Sequence, residues 1–364
     1  MAGAKYGEFK ELISPFLKSK IIEAKDAYGE NSPQYQAIYK QYVKSPLEDE
    51  VLESQMRRHY ESEVKLQFNG RDVKGVERLY RRTILIEPTT ACAAHCRWCL
   101  RGQYPIQTLK EDDITHAAKY IGSDKVNADI NEVLITGGDP LMSISLLTKT
   151  LKNLNEFSPN IKIVRIGSRV PFQSPDKVND AMLDLFCSFP DFRFELGVNV
   201  NHPVEFWPES VAALTRLQSI GFRIYNQHPL LKGVNDNVDT LVHLYSLLRE
   251  YGIEAHYLFH AIPMRGMDHH RTSLDRGLAL ANEISSCGEF SGRTKPRYAV
   301  LSDIGKIVIY ENTIIERKNN LLLLKSGFKL EERLKWNPSW EKPESLIVDE
   351  NGYMYTWYID GHDD

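Results

Sequence analysis

Three cysteines stand close together in Cys92-Ala-Ala-His-Cys96-Arg-Trp-Cys99-Leu-Arg101, spaced C-x3-C-x2-C. Thiolates are soft ligands that suit iron–sulfur clusters or zinc. A cubane cluster takes four ligands, so three thiolates leave one iron open to bind and activate a small molecule. Two other readings are open: a zinc site that recruits His95, although zinc motifs usually space their ligands as two separated pairs, and a chance grouping of thiols in a reducing compartment.

The loop must be held by what surrounds it. It follows an apolar, strand-like run, Thr83-Ile-Leu-Ile-Glu-Pro88. Beyond it, short β-branched runs recur at Glu132–Thr136, Lys162–Gly167, Arg193–Asn199, Arg223–Asn226 and Ala255–Phe259. Helical periodicity fills the gaps at Glu111–Lys125, Ser145–Phe157, Pro175–Phe186, Pro208–Ile220, Val238–Tyr251 and Leu274–Ser286. Strands alternating with helices pair in parallel through right-handed crossovers. The choice lies between an open doubly wound sheet and a barrel or partial barrel, and six units are too few for an eightfold barrel.

Ligands bind at the carboxyl ends of parallel strands, and each expected strand ends in a polar or glycine-bearing phrase. These are the cysteine loop, Thr136-Gly137-Gly138-Asp139-Pro-Leu, Gly167-Ser168-Arg169, Asn199-Val-Asn201-His202-Pro, Asn226-Gln227-His228-Pro and His260-Ala-Ile-Pro-Met.

Residues 5–76 read as helical, with Phe9, Leu12, Ile13, Phe16 and Leu17 at helical spacing. Residues 291–364 turn basic and then strand-rich. The expected division is an N-terminal helical extension over 1–76, a β/α domain over 77–290 and a small C-terminal β-rich segment over 291–364. The apolar fraction of 42% is ordinary for a soluble chain, and the net charge of −4 gives no electrostatic case for nucleic acid or a membrane surface. No apolar run approaches the ~20 residues that span a bilayer. The opening Met1-Ala-Gly-Ala-Lys5 lacks the apolar core of a signal peptide. Of five cysteines, Cys187 and Cys287 are left as expected buried thiols, which fits a reducing cytoplasm.

The phrase C-x3-C-x-aromatic-C, with Trp98 before the last cysteine, resembles the signature of the radical S-adenosylmethionine (SAM) superfamily. Cys92–Arg101, Thr136–Leu141, Val164–Pro171, Asn201–Pro203, Asn226-Gln227, Leu230–Asp236, Tyr257–Phe259 and His270–Thr272 together resemble the lysine 2,3-aminomutase family, in collinear order over roughly 78–310. The resemblance implies a (β/α)6 partial TIM-type barrel and a [4Fe-4S] cluster on Cys92, Cys96 and Cys99. It also implies SAM, cleaved to a radical that abstracts hydrogen from a small-molecule substrate, and a reductant such as flavodoxin or ferredoxin. Trp98, Gly137, Gly138, Asp139, Asn201, His202 and Gln227 fall to SAM or cofactor binding. There the glycines admit close backbone approach, and Asp139 accepts from the SAM ammonium.

Arg101 corresponds to the arginine that holds the substrate carboxylate, a task suited to a guanidinium fork. The resemblance further implies pyridoxal phosphate (PLP) on Lys306, in Ser302-Asp-Ile-Gly305-Lys306, with Arg78, Tyr80, Arg82, Ser168 and Arg169 as candidates for its anionic end. That loop keeps one glycine where the family has several, so a PLP-independent radical SAM enzyme (elimination, decarboxylation or epimerisation) stands as the alternative. The family's zinc cysteines have no counterparts, and no zinc is expected. A homo-oligomer is expected.

Family members acting on lysine hold its distal ammonium between two aspartates. Here Ile262 and Leu301 fall at those positions, with Asp303 near the second. A buried ammonium without partners costs several kcal/mol, so the expected reaction is a 2,3-aminomutation of an amino acid other than lysine. Arg265, Arg293, Lys295 and Arg297 make an acidic or phosphorylated side chain conceivable.

Overall fold

Asn69 and Gly70 both carry positive φ, 50° and 75°, and close a two-residue hairpin between β1 (Gln67–Phe68) and β2 (Arg71–Asp72). Asn-Gly is the pair that such a turn favours, and it corrects the expectation of helix up to residue 76. The computed structural model describes residues 9–50, 66–78, 80–102, 105–123 and 127–363. The helical expectation over 51–65, and the end of the helix expected at Lys125, lie outside them. Within the described part of the extension, α1 (Pro15–Tyr28) and α2 (Pro33–Tyr42) are helical, α2 being capped by the Ser32 side chain.

The chain forms two compact units. One contains Met1–Lys20, Lys65–Val198 and Phe206–Tyr225; the other contains Ile21–Val64, Asn199–Glu205 and Asn226–Asp364.

In the first unit, β3 (Val76–Glu77) lies antiparallel to β4 (Thr83–Thr89). Then β5 (Glu132–Gly137), β6 (Ile163–Gly167) and β7 (Arg193–Val198) follow in parallel, with Ile84 opposite Val133, Val133 opposite Val164, and Val164 opposite Phe194. Alternate residues Ile84, Ile86, Val133, Ile135, Val164, Ile166 and Leu196 are fully buried. The helices α3 (Glu111–Ile121) and α4 (Ile144–Phe157) bury Ile114, Ala117, Ala118 and Ile121, and Leu147, Leu151 and Leu154. On the other strand face Arg165 joins Glu132 at 2.7 Å and the Tyr225 hydroxyl at 2.7 and 3.0 Å.

After β6 the chain makes a four-residue helix, α5 (Val170–Gln173), and then α6 (Asp180–Cys187), capped by Asn179, in place of one helix from Pro175. α6 turns Met182 and Phe186 inward, and Phe186 meets Phe194 and Phe222. Cys187, at the end of that helix, is exposed, as is Cys287, which corrects the expectation that both are buried. α7 (Pro208–Ser219) precedes β8 (Arg223–Leu230). β8 begins in this unit and runs on past Asn226 to Leu230, further than expected.

In the second unit, α8 (Val238–Glu250), β9 (Glu254–His260) and α9 (Leu274–Ser286) continue the alternation. β10 (Arg297–Ser302) lies parallel to β9, and β11 (Gly305–Val308) returns antiparallel to β10. A separate antiparallel sheet follows, in the order β12 (Ile314–Lys318), β13 (Leu321–Lys329), β15 (Tyr353–Ile359) and β14 (Leu346–Val348), with α10 (Leu330–Trp336) after β13. From β3 to β11 hydrogen-bonded neighbours follow sequence order. The reversal of order that marks a doubly wound sheet is absent among the described residues. This is the (β/α)6 partial-barrel class, with β10 as a further parallel strand. Among the described residues no helix is long and apolar enough to cross a membrane.

Candidate active site

The cysteine loop leaves the carboxyl end of β4 and is braced by the loop after β5. Gly138 N–H donates to the Thr89 carbonyl at 2.7 Å, and Asp139 N–H to the Ala91 carbonyl at 2.8 Å. Gly137 has φ +109°, and a Cβ there would meet the Thr89 oxygen at 2.6 Å; one at Gly138 would overlap the Ala91 oxygen. Both glycines are therefore needed for two stretches of main chain to touch. The main chain they admit is that of Thr89, Thr90 and Ala91, at the entry to the cysteine loop.

Asp139 is also engaged within the fold. One carboxylate oxygen accepts from Ser168 Oγ at 2.7 Å and Leu141 N at 3.1 Å, the other from Arg169 N at 2.7 Å and Val170 N at 3.0 Å. Burial pushes its pKa up against these bonds. Asp139 thus ties the loop after β5 to the start of α5, and its acceptor positions are filled without a SAM ammonium. Ser168 is a partner in the same tie.

Arg169 reaches the cysteines directly. Its Nη1 lies 3.0 Å from Cys96 Sγ, and its guanidinium stands 5.1 Å from the Trp98 ring centroid. Gln173 Nε2, buried in α5, is 3.4 Å from the same sulfur. Sequence reasoning misses Gln173: it lies two residues past Val164–Pro171 and no spacing marks it. Burial pushes the Cys92 and Cys99 thiols up, and the neighbouring cysteines add to this. Among the described residues no three His, Cys, Asp or Glu side chains converge on one metal-ion position. A cubane instead offers a separate iron to each thiolate. A set of three thiols on one loop, with two N–H donors on one sulfur, fits such a cluster.

Arg101, after the last cysteine, pairs with Glu87 of β4 and has Glu77 of β3 at 3.6 Å. Arg78 and Arg82 stand at the amino end of β4, away from the cysteine loop. Arg78 is buried and donates to Asn127 at 2.8 Å, and burial lowers its pKa. Arg82 is exposed, with its carbonyl accepting from Asn131 and Glu132. The structure therefore does not bring these two arginines together with Ser168 and Arg169. Tyr80, their neighbour, is exposed.

In the second unit, Lys306 follows a two-residue turn, Asp303-Ile304, that closes at Gly305 with φ +116°. Lys306 is directly opposite Leu301, and its Nζ lies 5.2 Å from the Tyr257 ring and 5.3 Å from the Phe259 ring of β9. A half-buried primary amine among apolar side chains at the carboxyl end of parallel strands is a fit site for an imine-forming cofactor. Asp303 accepts from Ser345 Oγ at 2.8 Å.

Asn201 donates to Gln41 at 2.7 Å, and its main-chain N–H donates to the buried Glu205 at 2.8 Å. Its Oδ1, like Gln227 Oε1, is buried and has no hydrogen-bond partner among the described residues. His202 accepts from Val204 N through Nδ1, and burial lowers its pKa to about 4.

No family model matches the chain. A protein of Aquifex aeolicus named "Putative L-lysine 2,3-aminomutase" is 33% identical over 258 residues, 68% of this chain and 67% of the relative. The L-lysine 2,3-aminomutase of Methanococcus maripaludis is 30% identical, over 79% of this chain and 65% of its own length. The glutamate 2,3-aminomutase of Clostridioides difficile is 27% identical, over 69% and 59%. The chain thus spans about two thirds of these relatives' length or slightly less. A β/α partial barrel with three loop thiols is the frame of a radical SAM protein. Together with these relatives, it places the chain in the lysine 2,3-aminomutase family of radical SAM enzymes.

Proposed function

We propose that this chain is a PLP-dependent 2,3-aminomutase acting on an α-amino acid other than lysine. The observation that carries this reading is the placing of Lys306, in register with Leu301 and with its amine over Tyr257 and Phe259. Cys92, Cys96 and Cys99 would hold a [4Fe-4S] cluster with SAM on the open iron, and Lys306 would hold PLP. When bound, these groups supply a 5′-deoxyadenosyl radical that removes a hydrogen atom and a conjugated ring that delocalises the unpaired electron. A flavodoxin- or ferredoxin-type reductant would deliver the electron, in a cytoplasmic homo-oligomer.

The protein's own residues position and screen the reactants. Arg169 and Gln173 orient Cys96, and Trp98 covers Arg169. Asn201 and Gln227 each present a buried carbonyl oxygen for a donor, while burial keeps His202 neutral. Arg101 exchanges its contact with Glu87 for the substrate carboxylate. Ile262 and Leu301 leave the side-chain pocket without the carboxylates that a lysine ammonium requires, and Asp303 is held by Ser345.

A PLP-independent radical SAM reaction is the second reading. It is favoured by Arg78 and Arg82, which stand at the far end of β4 from the cysteine loop. An absorption spectrum of the protein incubated with PLP separates the two. An imine band lost on borohydride treatment and absent from Lys306→Ala supports the first reading. A wild-type protein that never takes up PLP overturns it.

A further inference from the structure

The stretch from Phe9 to Leu12 lies against the cysteine loop, more than eighty residues away in sequence. His95 N–H donates to the Leu12 carbonyl at 2.8 Å, and His95 Nδ1–H donates to the Lys10 carbonyl at 2.8 Å. Arg97, between Cys96 and Trp98, is fully buried. Its guanidinium donates to the Lys10 carbonyl at 3.2 Å and the Phe9 carbonyl at 3.0 Å, and lies 3.9 Å from the Phe9 ring centroid. Phe9 also stacks on His95 at 5.4 Å. A Cβ at Gly102, just past the last cysteine, would overlap the edge of the Phe9 ring. Ser14 Oγ continues the contact, donating to the carbonyl of Gln173, whose amide reaches Cys96.

A buried guanidinium is tolerated only where its donors find acceptors. Arg97 takes acceptors from main-chain carbonyls outside its own loop, so loop and N-terminal stretch depend on each other. We propose that Phe9–Leu12 is a strap that holds the three cysteines in their ligating arrangement through Arg97 and His95 and screens them from solvent. Arg97 and Phe9 are then positioning residues for the cluster. The inference rests on the cluster reading and is independent of PLP and of the substrate.

The experiment uses the full chain with Cys187→Ser and Cys287→Ser, so that only loop thiols react with a thiol reagent. In the cluster-free protein, Phe9→Ala and Arg97→Gln are expected to react severalfold faster than the parent, at an unchanged far-ultraviolet circular dichroism spectrum. After anaerobic reconstitution the same variants should lose iron absorbance in air severalfold faster. Gly102→Ala displaces the Phe9 ring while leaving the sequence of the strap and Arg97 unchanged, and should act in the same direction if Arg97→Gln does not fold. Parent-like thiol rates in Phe9→Ala and Gly102→Ala would overturn the proposal. Failure of the cluster reading would show separately, as a parent protein that takes up no iron.

Discussion

Arg101 is paired with Glu87 of the neighbouring strand, with Glu77 at 3.6 Å from the same Nη2. All three side chains are largely shielded, so the pair is stronger than a surface ion pair. If Arg101 receives the substrate carboxylate, that carboxylate must displace Glu87. Glu87→Gln should therefore lower the amino-acid dissociation constant, whereas Arg101→Lys, lacking the planar fork, should raise it. Titration calorimetry reads both. Weaker binding in Glu87→Gln would show that Glu87 orients Arg101 for the substrate.

Single replacement of Cys92, Cys96 or Cys99 by alanine should lower iron content and abolish reductive SAM cleavage. Cys187→Ala and Cys287→Ala should leave both intact, since those thiols are exposed and lie outside the loop. Iron analysis with chromatography of 5′-deoxyadenosine checks this. A Cys96→Ala protein that still cleaves SAM would remove the basis for the cluster.

Asp139→Asn replaces one carboxylate oxygen, and hence part of the acceptor set that four donors share, with an amide donor. Losing charge-assisted bonds and facing buried N–H groups with another donor should cost roughly 2–4 kcal/mol. Urea denaturation of the cluster-free protein measures it. A cost near zero would mean that the tie between the loop after β5 and α5 is dispensable.

The alternation of strands and helices is legible in the sequence because buried β-branched residues recur every second position, as at Ile84 and Ile86, and helices bury a stripe, as at Leu147, Leu151 and Leu154. The cysteine loop is legible because its ligands are neighbours in sequence. The Asn69-Gly70 hairpin carries a local signal that the surrounding polar composition masks. The contacts of Phe9 with Arg97, and of Gln173 with Cys96, carry none. They join residues 88 and 77 positions apart, and nothing in either stretch repeats with the period of its partner. Asp139 is legible as an important residue, but three of its four donors, Ser168 Oγ and the amides of Arg169 and Val170, come from the next strand's loop.

His228, His260 and His202 are buried, and burial lowers their pKa values to about 3, about 3 and about 4. His228 bonds the Tyr245 hydroxyl at 3.0 Å; His260 bonds the Tyr358 hydroxyl and the Thr272 carbonyl, each at 2.8 Å. Because the unfolded chain binds protons first, near pH 6.5, stability is full above that value and falls as the pH drops toward the folded pKa values. At pH 5 each histidine should remove roughly 2 kcal/mol. The melting temperature of the cluster-free protein at pH 7.5 and pH 5 reads the loss, which should shrink in His260→Gln. An equal fall in that variant would assign the acid sensitivity elsewhere.

Aminomutase activity is tested most directly by anaerobic incubation of the reconstituted protein with reductant, SAM, PLP and single α-amino acids. The set should span acidic, uncharged and basic side chains, with mass spectrometry of the corresponding β-amino acids. A β-amino acid should form from an acidic or uncharged substrate, with 5′-deoxyadenosine present, and no β-lysine should form from L-lysine. Efficient β-lysine formation would contradict the reading of Ile262 and Leu301. SAM cleavage with no β-amino acid from any member of the set would contradict the aminomutase itself.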